Sequence, residues 1–141
     1  MKTDVRRILL IDDNVEFRQV LLVRIRNLFP DVDIVEYDLV TEGWPPAESD
    51  CTKYDVLILD HDLGGGVNGL NWFKSCNKEK NFPATVILTA MGNERTAIHA
   101  LNSGAHYYLS KQQLTEEKLH KAIIKAREIR DNRLIITSEC Q

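Results

Sequence analysis

The sequence predicts a doubly wound α/β domain built on a five-stranded parallel sheet, and three observations carry that prediction. Short apolar runs without polar alternation occur at Ile8–Ile11 (ILLI), Val56–Leu59 (VLIL) and Val86–Leu88 (VIL), the pattern of strands buried on both faces. Segments with apolar residues spaced three and four apart lie between them, as amphipathic helices require. The two kinds of segment alternate along the chain, which demands right-handed crossovers with helices on both sides of one sheet. The flavodoxin-like strand order 2-1-3-4-5 is the economical arrangement.

Taken in order, Ile8–Ile11 is the first strand. Phe17, Leu21, Ile25 and Leu28 share one face of a first helix, with Asn14 as N-cap and Pro30 beyond its end. Val32–Tyr37 alternates apolar and acidic residues and reads as an edge strand. Over Leu39–Tyr54 a helix is expected, but Gly43, Pro45 and Pro46 break any period, so the second helix is short or irregular. Val56–Leu59 follows as the third strand, and Leu70, Phe73 and either Cys76 or Asn77 mark the helix after it. Val86–Leu88 is the fourth strand. Glu94 to Asn102 forms a short helix capped by Asn93 and stopped at Ser103-Gly104. His106–Leu109 is the fifth strand. The last helix is capped by Thr115, carries Glu116 and Glu117 in its first turn, and buries Leu119, Ala122, Ile123, Ala126 and Ile129.

With 141 residues, 43% of them apolar and 28% charged, the chain has material for one domain with a real core. A formal net charge of −3 gives no basic surface for direct nucleic-acid binding. The N-terminal apolar stretch is too short for a signal peptide or a membrane span, so a cytoplasmic protein without membrane contact is expected. The three cysteines, Cys51, Cys76 and Cys140, are widely spaced and read as reduced thiols.

In such sheets, functional groups gather at the carboxyl ends of the strands. Here the strands end in Asp12-Asp13, Asp60, Thr89 and Ser110-Lys111, on four strands that the order 2-1-3-4-5 makes adjacent. Crowded carboxylates repel and raise one another's pKa unless a cation neutralises them. Hard oxygen ligands of this kind suit Mg²⁺, which keeps several waters and shares a phosphate readily. A lysine adds a point charge suited to a phosphoryl oxygen, and a threonine adds a hydrogen-bond donor. Taken singly, each residue is as well explained by a helix cap or a turn; five at the right strand ends are not.

At these residues the sequence resembles the receiver domain of two-component response regulators, of the chemotaxis-regulator-like kind. The resemblance rests on ILLIDDN, VLILDHDL, VILTA followed by Met91, Gly104-Ala105 and YYLSK, and with the last helix it extends to about residue 130. It implies that Asp60 is the phosphoacceptor and that Asp13 binds Mg²⁺ directly. Asp12 helps through water, and the Asp62 carbonyl completes the metal shell. It further implies that Lys111 and Thr89 contact the phosphoryl group. Tyr108 is then the aromatic switch that turns inward as Thr89 moves, and Ala90 is small enough to allow it. The implied partners are a sensor histidine kinase or a histidine phosphotransfer protein. An output domain or a second copy would engage the face made by the last two helices and the fifth strand.

Three departures from the family pattern stand out. Gly64 occupies the position usually held by proline, Gly64-Gly65-Gly66 carries one extra residue before Gly69, and Lys111 is followed by Gln112 rather than proline. His61 and Asp62 flank the acceptor and Met91 lies opposite; Asp62 and Met91 are expected to tune dephosphorylation. Trp44, beside Pro45-Pro46, could mark a contact surface, and Trp72 reads as packing. The receiver is expected over 1–133, with 134–141 a C-terminal tail or the start of a linker. Two other readings stand beside this one. A haloacid-dehalogenase-type phosphatase would share Asp60-His61-Asp62, but its acidic pair follows the nucleophile instead of preceding it. A receiver-fold module that takes no phosphate is favoured only by the unusual glycine loop.

Overall fold

The computed structural model describes residues 5–37, 53–60, 69–77, 82–89 and 94–139. Its elements are β1 (Arg7–Ile11), α1 (Val15–Leu28), β2 (Asp33–Tyr37), β3 (Val56–Asp60), α2 (Gly69–Cys76), β4 (Ala84–Thr89), α3 (Glu94–Asn102), β5 (Tyr107–Ser110) and α4 (Glu116–Glu139), with a 3-10 turn at Lys111–Gln113 before α4. All neighbouring strands are parallel, and the order is β2-β1-β3-β4-β5. The irregular helix expected within Leu39–Tyr54 falls almost wholly outside the described residues, as do Asn93, Trp44 and the Gly64–Gly66 loop.

The apolar runs are explained by two cores, one on each side of the sheet. Ile8, Leu10, Val56, Ile58, Val86 and Leu88 point to the side covered by α1 and α4, where they meet Leu21, Ile25, Leu119, Ala122, Ile123 and Ala126. The intervening Leu9, Ile11, Leu57, Leu59 and Ile87 point the other way, against Trp72, Phe73 and Cys76 of α2 and Ala100 of α3. Successive side chains of a strand alternate faces, so a strand sandwiched between two helical layers must be apolar at every position. Each of these residues leaves water almost completely, a gain on the order of 1.5–3 kcal/mol per large side chain.

Local signals set the helix ends. The Asn14 Oδ1 accepts the Phe17 N–H at 3.0 Å at the start of α1. The Thr115 Oγ1 accepts the Lys118 N–H at 3.1 Å at the start of α4. Gly104 ends the α3 turn at φ +115, where a Cβ would run into the Asn77 amide; only glycine adopts that conformation without strain. Two expectations shift in detail. The fifth strand begins at Tyr107 and not at His106, because the His106 Nδ1 itself accepts the Thr85 N–H at 3.0 Å while its own N–H reaches the Thr85 carbonyl. Helix α4 continues past the apolar stripe to Glu139. Among the described residues no helix is long and apolar enough to cross a membrane.

Candidate phosphoacceptor and metal site

Register places the polar residues. Ile11 pairs with Leu59, so Asp12 and Asp60 leave their strands at the same level, one step further on. Asp60 pairs with Leu88, which puts Thr89 one position beyond it, level with Ser110 on β5. Lys111 then opens the 3-10 turn. Four adjacent strands thus deliver the polar residues at their carboxyl ends to one edge of the sheet.

The Lys111 ammonium sits between two carboxylates, 3.0 Å from the Asp12 Oδ2 and 3.0 Å from the Asp60 Oδ2. Both aspartates have no exposed surface, whereas the lysine side chain retains 21%. Burial alone would lower the lysine pKa, but Asp60 and then Asp12 outweigh it and hold the amine protonated above its ordinary value. Asp13 joins the pair, and carboxylate oxygens from Asp12, Asp13 and Asp60 lie within 4.8 Å of one another. Lys111 bridges two of these three carboxylates, and crowded carboxylates of this kind favour a bound cation. Among the described residues the donors are all carboxylate oxygens, and next to a lysine suited to phosphate they fit Mg²⁺.

The surrounding chain holds this cluster in place. The Asn14 N–H bonds the Asp12 Oδ1 at 2.8 Å, and the first turn of α1 begins directly after the acidic pair, where the helix dipole favours negative charge. Arg18, only 7% exposed, donates from Nη1 to the Asp12 backbone carbonyl and from Nε to the Glu36 Oε1 at 3.2 Å on β2. The Lys111 Nζ also lies 4.6 Å from the centroid of the Phe17 ring. Thr89 is buried at 3% exposure.

Of the residues singled out from sequence, Asp12, Asp13, Asp60 and Lys111 come together, with Thr89 at the same edge. Tyr108 is 40% exposed and lines a surface groove of about 520 Å³ with Leu101, Lys118, Lys121 and Ile129. Asp62, Ala90, Met91 and His61 lie outside the described residues. Trp72 is buried in the core beneath α2. Sequence reasoning missed Arg18 as a support and read Phe17 as core alone. The signal for Arg18 was its spacing: at four and seven residues before Leu22 and Ile25, it is a charge on a buried stripe.

A family model described as the response regulator receiver domain matches residues 8–124. The chain belongs to the response regulator receiver family. The receiver is 33% identical over 114 residues to the phosphate regulon transcriptional regulatory protein PhoB of Klebsiella pneumoniae, covering 75% of this chain and 45% of that protein. It is 30% identical over 116 residues to response regulator RppA of Synechocystis, covering 80% of this chain and 47% of that protein. The receiver thus spans about half the length of the curated relatives it matches. A crystal structure of a response regulator receiver domain protein from Clostridium thermocellum superposes with a TM-score of 0.75 at 26% identity, covering 93% of this chain and 99% of that one. NtrX of Brucella abortus, at 18% identity, shares the fold with a TM-score of 0.73, covering 96% of this chain and 29% of that one.

Proposed function

We propose that the receiver accepts a phosphoryl group on Asp60 from a phosphohistidine of a sensor histidine kinase or histidine phosphotransfer protein, in a Mg²⁺-dependent reaction. The observation that carries this reading is the Lys111 ammonium held 3.0 Å from both Asp12 and Asp60, with Asp13 in the same cluster. A carboxylate oxygen of Asp60 forms the new bond to phosphorus as the phosphorus–nitrogen bond of the donor breaks, and the imidazole leaves with the electron pair and takes a proton. Lys111 pairs with the charge that spreads over the phosphoryl oxygens, and Thr89 donates a hydrogen bond to one of them. Asp12, Asp13, Asp60 and Asp62 would hold the Mg²⁺, whose contribution is to neutralise charge on the incoming group. The acyl phosphate is labile to water, and the domain catalyses its own loading and unloading without acting on a separate substrate. Asp62 and Met91 tune the unloading rate; the double exchange Asp62→Asn with Met91→Ala is expected to change the phospho-Asp60 lifetime.

The output follows from the same edge. A hydrogen bond from Thr89 to the phosphoryl group draws it toward Asp60, leaving room beside Ala90 for the exposed Tyr108 to turn inward. That movement reshapes the groove between α3, β5 and α4, where Lys118 and Lys121 stand beside Tyr108 and Ile129. The α3-β5-α4 face is read by an output domain or by a second copy. The receiver unit spans 1–133, and 134–141 leads out of it.

The test is incubation with Mg²⁺ and acetyl phosphate followed by intact mass. One phosphoryl adduct is expected, dependent on Mg²⁺ and absent from Asp60→Asn. Absence of the adduct, together with no binding of beryllofluoride, would leave a phosphate-independent interaction module.

A further inference from the structure

We propose that Phe17 is a positioning residue for Lys111, and that helix α1, through Phe17, Arg24 and Asn27, holds the turn that carries the lysine. The inference rests on the phosphoacceptor reading for its chemical consequence, but its geometric half stands alone.

A lysine is a point charge on a flexible four-carbon stem, and a partly exposed one tends to reach for water. Lys111 instead lies between two buried carboxylate oxygens with the Phe17 ring 4.6 Å from its ammonium. An aromatic face carries negative charge density and attracts a cation at this range. The ring closes the α1 side of the ammonium while the carboxylates close the sheet side. Phe17 is itself fixed, since its N–H bonds the capping Asn14 and its side chain packs against the core beneath α1.

Two further contacts from the same helix anchor the chain immediately after the turn, at Leu114 and at Glu116, the first residue of α4. The Arg24 Nη1 donates to the Leu114 carbonyl at 2.9 Å, and the Asn27 Nδ2 donates to the Glu116 Oε1 at 2.9 Å. Positions 17, 24 and 27 are seven and three residues apart and therefore lie along one stripe of α1. The residue after Lys111 is Gln112, which has no ring to fix its backbone. In this chain, the stiffness that the turn needs comes from outside it, from α1.

If Phe17 were only a core residue, leucine would replace it. The test therefore compares Phe17→Leu with Phe17→Tyr in the full chain. One reading is the ¹H–¹³C NMR signal of the Lys111 ε-methylene in the metal-free protein, which a ring overhead shifts upfield. The other is the rate of adduct formation from acetyl phosphate at saturating Mg²⁺. Phe17→Leu is expected to lose the upfield shift and to slow the reaction roughly fivefold, equivalent to about 1 kcal/mol, while Phe17→Tyr keeps both. Lys111 signals that keep their wild-type upfield position in Phe17→Leu, or equal rates for the two variants, would overturn the proposal. Arg24→Gln, which leaves the ring untouched, is expected to slow the reaction as well. It decides the matter if Phe17→Leu fails to fold, an unchanged rate then counting against α1. Should the wild-type protein take no phosphoryl group, the function falls, and the NMR reading still decides where Lys111 sits.

Discussion

His106 offers a quantitative test of how β5 is joined to the sheet. Its ring replaces a strand residue by accepting the Thr85 N–H at Nδ1, a bond that only the neutral imidazole can make through that nitrogen. Burial first, then the Arg133 and Arg130 guanidiniums, lower its pKa from 6.5 to about 4, with Asp131 opposing. Between those values the unfolded chain carries a proton on this residue and the native protein does not. Stability is therefore fully present above pH 6.5 and falls as the pH drops toward 4. At about 1.4 kcal/mol per pH unit across that window, the loss from His106 between pH 7 and pH 5 is about 2 kcal/mol. Urea unfolding of wild type and His106→Asn at pH 7, 6 and 5 isolates it. Asparagine can accept the same N–H but does not titrate, so the wild type is expected to lose about 2 kcal/mol more than the variant over that range. Parallel losses in the two proteins would show that the native imidazole protonates without penalty and would refute the reasoning.

The acidic edge and the α3 turn supply two more tests. At a Mg²⁺ concentration tenfold above its dissociation constant, binding to the native state alone is expected to raise stability by about 1.4 kcal/mol, seen as a higher thermal midpoint that Asp13→Asn weakens or abolishes; an equal rise in the variant would place the ion elsewhere. Gly104→Ala is expected to cost about 1–3 kcal/mol in chemical denaturation, because the φ of +115 strains any side chain and the new Cβ meets the Asn77 amide; a neutral result would mean that the turn relaxes freely.

Much of the fold was legible because the sheet is buried on both faces. Residues such as Ile8–Ile11 and Val56–Leu59 can be apolar throughout only in that setting, and the first polar residue after each run then marks the functional edge. Asp12, Asp60, Thr89 and Lys111 were readable for this reason. Strand β4 begins two residues before its apolar run, because Ala84 and Thr85 are small or polar yet fully buried, Thr85 through a hydrogen bond to the Pro83 carbonyl that periodicity does not encode. His106 was read as part of the strand from the short aromatic run HYYL, in which nothing signals that its ring, and not a strand ladder, takes the Thr85 N–H. Helix α4 outran its stripe because periodicity reports only what the sheet covers. Beyond Ile129 the helix turns polar at Arg130, Asp131, Asn132 and Arg133, whose pattern alone does not tell a helix from a loop. The second role of Phe17 stayed hidden because its apolar spacing was already explained by the core.

The link from Arg18 to Glu36 has a consequence for how the molecule breathes. Strand β2 is paired on one side only, and each of its five residues keeps some access to water. An edge of this kind opens more often than the centre of a sheet. Arg18 grips that edge through Glu36 and, with its other nitrogen, the carbonyl of Asp12. Each time β2 frays, a nearly buried guanidinium loses a counter-charge, and the turn that presents Asp12 and Asp13 loses part of its backing. The least protected margin of the sheet is thereby thermodynamically tied to its most highly charged point. Amide exchange along Asp33–Tyr37 reports, from the side, how firmly the acidic turn is held.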